Sequence, residues 1–578
     1  MATDFLLQDF PPVSTQAWEE AIARDLKGAD YSKKLIWQSD EGLAVKPYYR
    51  AEDLQGMEYL DAPPGAFPFV RTARTNADWR IREEIFEANP EIANRAAQSA
   101  LAAGAEQIAF RNASIQNASD LGMLLVNLQQ IPVHFEEASE PLIRLLIDRQ
   151  RQAPSSTSFD PLTNLDFAAE IASSAPPSFT PFTLHGDEFE ESGATAVEEI
   201  AFTLAAAVDY LSAMQVRNVS IDRAVASIEF SFAIGANFFF QIAKLRAFRL
   251  LWARAVESFD GSKQSAAARI HARTSRWNKT VYDPHVNILR DTTEAISAIL
   301  GGADSISVAP FDECYKQPDR ASRRLARNTQ SLLKQEALFS RVADPAAGSY
   351  AIEVCTDFIA REAWRTLQSI EAAGGYQKAK ADGQIAQALQ QSLAVRDKAV
   401  TSRRRVFTGT NQYANPSERV LDRVDPARVF AGSRGTQNFE RLRLRTERHT
   451  AATGATPGIL LAEFGDLKMR GARSNFATNF FACAGFDIRT QQFSTPSELA
   501  AADADLIVLC SSDPEYLAFT TDLMPALRTL SCATPVLVAG NPDSAEQLRA
   551  TGIADFVHIR TNPIEFLTQW QKKLGIED

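Results

Sequence analysis

From about residue 61 to residue 410, short apolar runs alternate with stretches whose apolar positions recur at helical spacing. The clearest strand candidates are Gln107 to Phe110, Pro132 to Phe135, Phe179 to Leu184, Ser227 to Phe232, Arg269 to Ala272 and Ser305 to Val308. Helical patterns lie between them, at Ala194 to Met214, Asn237 to Glu257 and Asp283 to Leu300. Strand followed by helix, repeated, builds a parallel sheet, and about 350 residues suits a (β/α)8 TIM barrel with insertions. Residues 351–404 add long helices that need not belong to the barrel.

From 456 to 578 five strand runs (458–463, 486–488, 506–510, 535–539, 555–559) are separated by helices. That is the pattern of a flavodoxin-like, Rossmann-like doubly wound domain, so the fold class is α/β throughout. Residues 411–455 lie between the two regions; punctuated by proline and rich in arginine (Arg441 to Arg448), they show no sustained periodicity and read as a linker with a solvated surface. Residues 1–60 read as an arm. Trp18, Ile22 and Leu26 form one helical face, followed by short extended pieces at Leu35-Ile36-Trp37 and Val45 to Tyr49. An apolar face with no core of its own must pack on the barrel or on a partner chain.

Composition narrows the function classes. The 578 residues are 45% hydrophobic and 23% charged, as in a water-soluble globular protein, and the formal charge of −12 argues against a general nucleic-acid or anionic-membrane surface. No run approaches 18 uncharged apolar residues, and MATDFLLQDFPP lacks the basic start and apolar core of a secretory signal, so a cytoplasmic address is expected. Cys314, Cys355, Cys483, Cys510 and Cys532 have no CxxC spacing and read as small buried apolar residues. His134, His185, His271, His285, His449 and His558 show neither HxxxH nor HExxH spacing, so no metal set is expected.

Chemistry is expected at the strand-to-helix turn after 458–463, because ligands of open α/β sheets bind beyond the carboxyl ends of the strands. The turn reads Asp466-Leu467-Lys468-Met469-Arg470-Gly471, with a helix expected from about Gly471 to Ala484 and a left-handed cap at Gly485. Read on its own it is structural: Asp466 near a helix start, Lys468 facing water, Gly471 permitting close packing.

Longer motifs are more specific. DPHVNILRDTTEAISAILGGADSISVAPFDE (283–313), RLARNTQSLLKQE (324–336), VADPAAGSYAIE (342–353), GATAVEEIAFTLAAAVDYL (193–211), the Trp364 to Gly375 helix and the arm segment WEEAIARDLKGADYSKKLIWQSDEGLAVKPYY closely resemble methylmalonyl-CoA mutase, over essentially the whole chain. The resemblance implies a barrel with an interface arm and a C-terminal cobalamin-binding-type domain. It also implies an adenosylcobalamin-dependent isomerisation of (R)-methylmalonyl-CoA and succinyl-CoA.

The departures fall where that family does its chemistry. Its Asp-x-His-x-x-Gly motif, whose His is the lower cobalt ligand oriented by the Asp, has Lys468 in place of the His between the retained Asp466 and Gly471. Stripping the proton from a lysine at pH 7 costs roughly 4–5 kcal/mol, so it is a poor substitute for imidazole. The family's Ser-x-Leu reads Ser512-Asp513-Pro514, and its Gly-Gly reads Ala539-Gly540. In the barrel region a Tyr-His pair is replaced by Asp187 and Glu188, Ser-Leu-His-Thr-Asn reads Ser305-Ile306-Ser307-Val308-Ala309, and the Thr-Met-Tyr loop after Pro68-Phe69-Val70-Arg71-Thr72 is missing. His271 matches a strand end that touches substrate in the family, against the plainer reading of a satisfied rim histidine.

These losses imply a degenerate, non-catalytic chain that pairs with a larger catalytic subunit in a heterodimer. Cobalamin and the acyl-CoA would then be held by the partner. The alternatives are a self-sufficient mutase of related specificity, and an inactive acyl-CoA-binding or cofactor-delivery module.

Overall fold

The computed structural model describes residues 13–149, 153–529 and 534–577; the N-terminal segment 1–12 and Cys532 lie outside them. Eight parallel strands close into a barrel: β3 Arg80–Ile85, β4 Gln107–Phe110, β5 Val133–Phe135, β6 Ser155–Phe159, β7 Phe179–His185, β8 Ile228–Ile234, β9 Ile270–Thr274 and β10 Ser305–Ser307, with β10 returning beside β3. The six strands expected from apolar runs are all present. The other two, RIREEI and SSTSF, are the polar ones. In β3 the apolar Ile81 and Ile85 alternate with Arg82 and Glu84, which are buried within the barrel.

The helices Ala196–Val216 and Phe238–Ser258 are buried along most of their faces, and Tyr350–Ala372 packs against both. Cys355, Ile359, Ala363 and Leu367 of that last helix join the barrel's core, so part of 351–404 is integral to it. The first helix is fixed at its start by a reciprocal cap between Thr195 and Glu198. Inside this layer Lys244 Nζ meets Glu199 Oε2 at 2.6 Å, both without solvent exposure to speak of. The arm contributes a short antiparallel hairpin, β1 Trp37–Gln38 with β2 Ala44–Val45. Its helix, Thr15–Asp25, buries no residue fully; Trp18 stacks on Tyr48 of the arm itself at 4.5 Å.

A second sheet holds five parallel strands, β11 Gly458–Glu463, β12 Asp487–Gln492, β13 Leu506–Cys510, β14 Val536–Ala539 and β15 Asp555–Val557, in the order β12-β11-β13-β14-β15. Separate apolar clusters cover its two faces. The stretch expected to lack structure before it contains the helix Gln437–Thr453. Phe439 and Leu442 of this helix join one sheet core, together with Trp277 and Phe407 from the barrel side. Nor are its arginines all solvated. Arg443 is 1% exposed, with its guanidinium 3.9 Å from the Tyr282 ring centroid and donating to the Glu418 carbonyl at 3.1 Å. Periodicity is hard to see there because a buried, partnered arginine occupies a core position. Cys314, Cys355, Cys483 and Cys510 are buried thiols, as read from their spacing.

Candidate functional site

The barrel strands deliver their carboxyl-terminal residues to a cavity of about 250 Å3. β7 ends at His185 and turns at once into the helix Gly186–Glu191, which sets Asp187, Glu188 and Glu191 around the mouth. The tight turn requires glycine: a Cβ on Gly186 would stand 2.7 Å from the Phe232 ring and the Thr203 hydroxyl. Ser231 of β8, His271 and Arg273 of β9, and Arg111 beyond β4 complete much of the wall.

His185 Nδ1 lies 3.1 Å from Asp187 Oδ1, and Ser231 Oγ donates to Asp187 Oδ2 at 2.9 Å. Burial works against both charges, yet the attraction between them and these hydrogen bonds outweigh it. Asp187 is held well below the usual carboxylate range, and the His185 imidazole is raised to about 9. The dyad is therefore an imidazolium–carboxylate pair at neutral pH, with Nδ1 committed to Asp187 and Nε2 left to donate. His271 is the opposite case. Its Nδ1 is 2.9 Å from Ser305 Oγ, and burial, reinforced by the Arg82 charge, pushes its pKa well below 6.5 and keeps the ring neutral. Burial raises Glu188 and Glu191, the latter despite Arg273 and Arg276. Among the described residues no Tyr, Phe or Trp lines this cavity.

Beneath the mouth, ion pairs fill the barrel. Arg82 lies 3.5 Å from Glu229, and His134 lies 3.2 Å from the same carboxylate. Arg273 bridges Glu84 at 2.9 Å and Glu313 at 2.7 Å, while Arg111 reaches Glu84 at 3.0 Å. An unpaired charge buried here would carry a penalty of several kcal/mol, and crossed pairing between strands removes it. Layers of branched aliphatic side chains usually fill such a barrel.

The second strand-end position lies beyond the carboxyl ends of the neighbouring strands β11 and β13, where the strand order reverses. Asp466 caps the following helix, accepting from Met469 N at 2.8 Å, so that helix runs Leu467–Phe481 and begins a turn earlier than expected. Lys468 is exposed. Gly471 has open space around it, which corrects the close-packing role read from the sequence. Glu515 spans the crevice. It accepts from the Ser512 hydroxyl at 2.6 Å, from Asp466 N at 3.1 Å and from the Ser511 hydroxyl, and these hydrogen bonds hold its pKa at about 2. A Cβ on Gly465 would stand 2.3 Å from that carboxylate. Arg473 pairs with Asp513 at 2.9 Å and lies over Gly540, where a Cβ would meet the guanidinium at 2.8 Å. Ala539 instead packs within the sheet core.

Sequence reading placed Asp187 and Glu188 at the barrel mouth and Asp466, Lys468, Ser512 and Gly540 at the crevice. Asp187, however, is no bare acid, because His185 and Ser231 partner it. Ser307 is buried, its hydroxyl 3.5 Å from the Arg82 carbonyl, and it does not line the cavity. The convergence of His185 and His271 on one cavity, with Arg273, was not read from spacing. For His185 the available signal was the polar residue closing the apolar run FTPFTLH; His271, second in IHART, lies within its strand and not at the strand end expected for it.

A family model described as methylmalonyl-CoA mutase matches residues 38–120 and 142–456. The chain is 36% identical to the methylmalonyl-CoA mutase small subunit of Porphyromonas gingivalis, the match covering 99% of each. It is 30% identical to the methylmalonyl-CoA mutase small subunit of Streptomyces virginiae, over 99% of this chain and 98% of that one. Similarity to the methylmalonyl-CoA mutase large subunit of Streptomyces virginiae is also 30%, over 76% of this chain and 67% of that one.

Proposed function

The chain belongs to the methylmalonyl-CoA mutase family, and from that premise we propose that it is the non-catalytic subunit of a heterodimeric, adenosylcobalamin-dependent mutase. The larger subunit binds the cobalamin and the acyl-CoA and interconverts (R)-methylmalonyl-CoA and succinyl-CoA. The observation that carries this reading is that the chain's own charged groups close the crevice and line the barrel mouth. At the crevice, an exposed ammonium at 468 offers no lone pair to cobalt, and Glu515 and Arg473–Asp513 lie where a ligand would approach the backbone. At the barrel mouth, Glu188 and the His185–Asp187 pair stand where the family carries an aromatic side chain and a histidine. These residues do not suit the group, so no step through cobalamin is assigned to this chain.

The strand order of the second sheet supports reading 456–578 as a flavodoxin-like domain of the cobalamin-binding type with replaced contacts. Residues 61–410 are taken as the barrel domain, 411–455 as the connection and 1–60 as an interface arm. Trp18 and Trp37, 44% and 51% exposed, support the last assignment, since burying each against a partner would contribute roughly 1.5–3 kcal/mol. No helix among the described residues is long and apolar enough to cross a membrane, and a cytoplasmic location is part of the proposal.

The test is to purify the chain alone, the larger homologous subunit alone, and the two together. Cobalamin absorbance is followed through gel filtration and succinyl-CoA formation is assayed. This chain alone should retain no cobalamin and turn over no substrate, and the pair should do both. Turnover by the isolated chain would favour a self-sufficient mutase instead.

A further inference from the structure

Beside the barrel mouth a second cavity, of about 340 Å3, opens between the ends of β6 and β7, the helix Ala196–Val216 and two later helices, Tyr376–Ala381 and Gln384–Thr401. Ser158, His185 and Glu188 line both cavities, so the two share a wall there. Leu184, Phe189, Ile385 and Leu389 give the second one an apolar side, and a space of this size and lining suits a small organic molecule.

Most polar groups of this wall are committed. Thr183 and Thr203 donate to the Thr157 and Glu199 carbonyls at 2.8 and 2.7 Å. Ser192 donates to the Glu188 carbonyl at 2.8 Å and Ser158 to the Glu136 carboxylate at 3.1 Å, while Asp160 accepts from Leu162 N at 2.9 Å. Two donors stay free. His185 Nε2 and Tyr376 Oη have no hydrogen-bond partner among the described residues, and, unlike a sealed atom such as Trp252 Nε1, both keep accessible surface. Tyr376 as a whole is only 5% exposed, so the surface its hydroxyl keeps faces the cavity. Burial, with the Asp160 and Glu188 charges, raises the phenol and keeps it protonated. The His185 ring, held at Nδ1 by Asp187, donates through Nε2. Glu188 is an exposed residue whose charge is shared by water and by the nearby His185 and Lys380 cations. Two donors, one of them cationic, beside an apolar wall call for a ligand with an anionic acceptor at one end and a hydrocarbon body at the other.

We propose that this cavity binds an aliphatic monocarboxylate, its carboxylate accepting from His185 Nε2 and Tyr376 Oη and its chain lying on Leu184, Phe189, Ile385 and Leu389. Tyr376, Ile385 and Leu389 belong to the helices that follow the barrel, so occupancy also fastens those helices to the strand ends. The site is independent of the mutase assignment.

Isothermal titration of the full-length chain with hexanoate, 1-hexylamine, 1-hexanol and acetate tests it. Hexanoate should bind roughly tenfold or more tighter than each of the others, and its addition should shift the His185 ring resonances in NMR. Tyr376→Phe should weaken hexanoate roughly fivefold with the melting temperature unchanged, because the hydroxyl has no partner in the fold to lose, and His185→Asn should weaken it roughly tenfold. Should a variant fail to fold, the ranking of the four probes on the unaltered chain decides. Equal binding of hexanoate and 1-hexylamine, no binding of hexanoate, an affinity unmoved by Tyr376→Phe, or unmoved His185 resonances overturns the proposal. Tighter binding of hexanoyl-CoA than of hexanoate also overturns it, returning the cavity to acyl-CoA recognition.

Discussion

The barrel mouth and the sheet crevice are the same kind of place, the carboxyl ends of parallel strands, yet the chain has dealt with them differently. The crevice is laced shut by groups near the surface: Glu515 across Ser511, Ser512 and Asp466, and Arg473 on Asp513. The barrel keeps an open cavity above a buried network in which Arg273, Glu84, Glu313 and Arg111 hold one another. The contrast teaches that replacing ligand contacts has different consequences at different depths. Near the surface, water shares the load and the new contacts are individually weak. Inside a barrel each charge must find a charge, and the replacement becomes part of what holds the fold together.

The largest expected effect follows from that depth. Arg273→Met leaves Glu84 and Glu313 short of a buried partner and should lower barrel stability by about 3–5 kcal/mol in urea unfolding. Arg473→Met breaks a half-exposed pair and should lower it by less than about 1 kcal/mol. Losses of equal size would break the comparison.

Next comes the dyad. His185 has a folded pKa of about 9 against 6.5 unfolded, so its pairing with Asp187 stabilises fully below about pH 6.5 and fades as pH rises to about 9. The loss across that window should be roughly 2–3 kcal/mol, and it is a single interaction shared with Asp187, not to be counted twice. Melting temperature from pH 6 to pH 10 should fall less in His185→Asn than in the unaltered chain, and the His185 ring protons should titrate near 9 by NMR. Titration near 6.5 would sever the pair on which the reading of the mouth depends.

At the crevice the sign reverses. Glu515, lowered to about 2 from 4.5, stabilises above about pH 4.5 and loses this as pH falls toward 2. Because the carboxylate is partly exposed and water shares its charge, Glu515→Gln should cost only about a few tenths of a kcal/mol at pH 7, with the difference vanishing only as pH falls to about 2 in urea titrations. Smallest of all is Lys468→His, at an exposed position, where stability should not change measurably. The variant restores an imidazole beside Asp466 and should gain at most weak cobalamin absorbance after gel filtration, with no succinyl-CoA formed in the absence of the larger subunit. Turnover by this variant would show that the barrel mouth still supports the chemistry.

Much of this was legible in the chain itself. Apolar runs located six of the eight barrel strands and four of the five of the second sheet, because an aliphatic strand buried between helices needs no partner beyond its neighbours; the exposed edge strand DIRTQQ was met only at its first two residues by the expected run 486–488. Motif departures likewise pointed to Asp187, Lys468 and Gly540 before any geometry was known. Pattern alone missed RIREEI and SSTSF, the helix Gln437–Thr453, and the meeting of His185 with His271. The physical reason is common to all of them. Arg82, Glu84, Ser156 and Arg443 are buried by virtue of partners far away in sequence, Arg273 lying 189 residues from Glu84. Hydrophobicity is a property of each residue and can be read in order along the chain. The satisfaction of a buried charge belongs to a pair, and only barrel closure and the packing of the sheet against it decide which pairs exist.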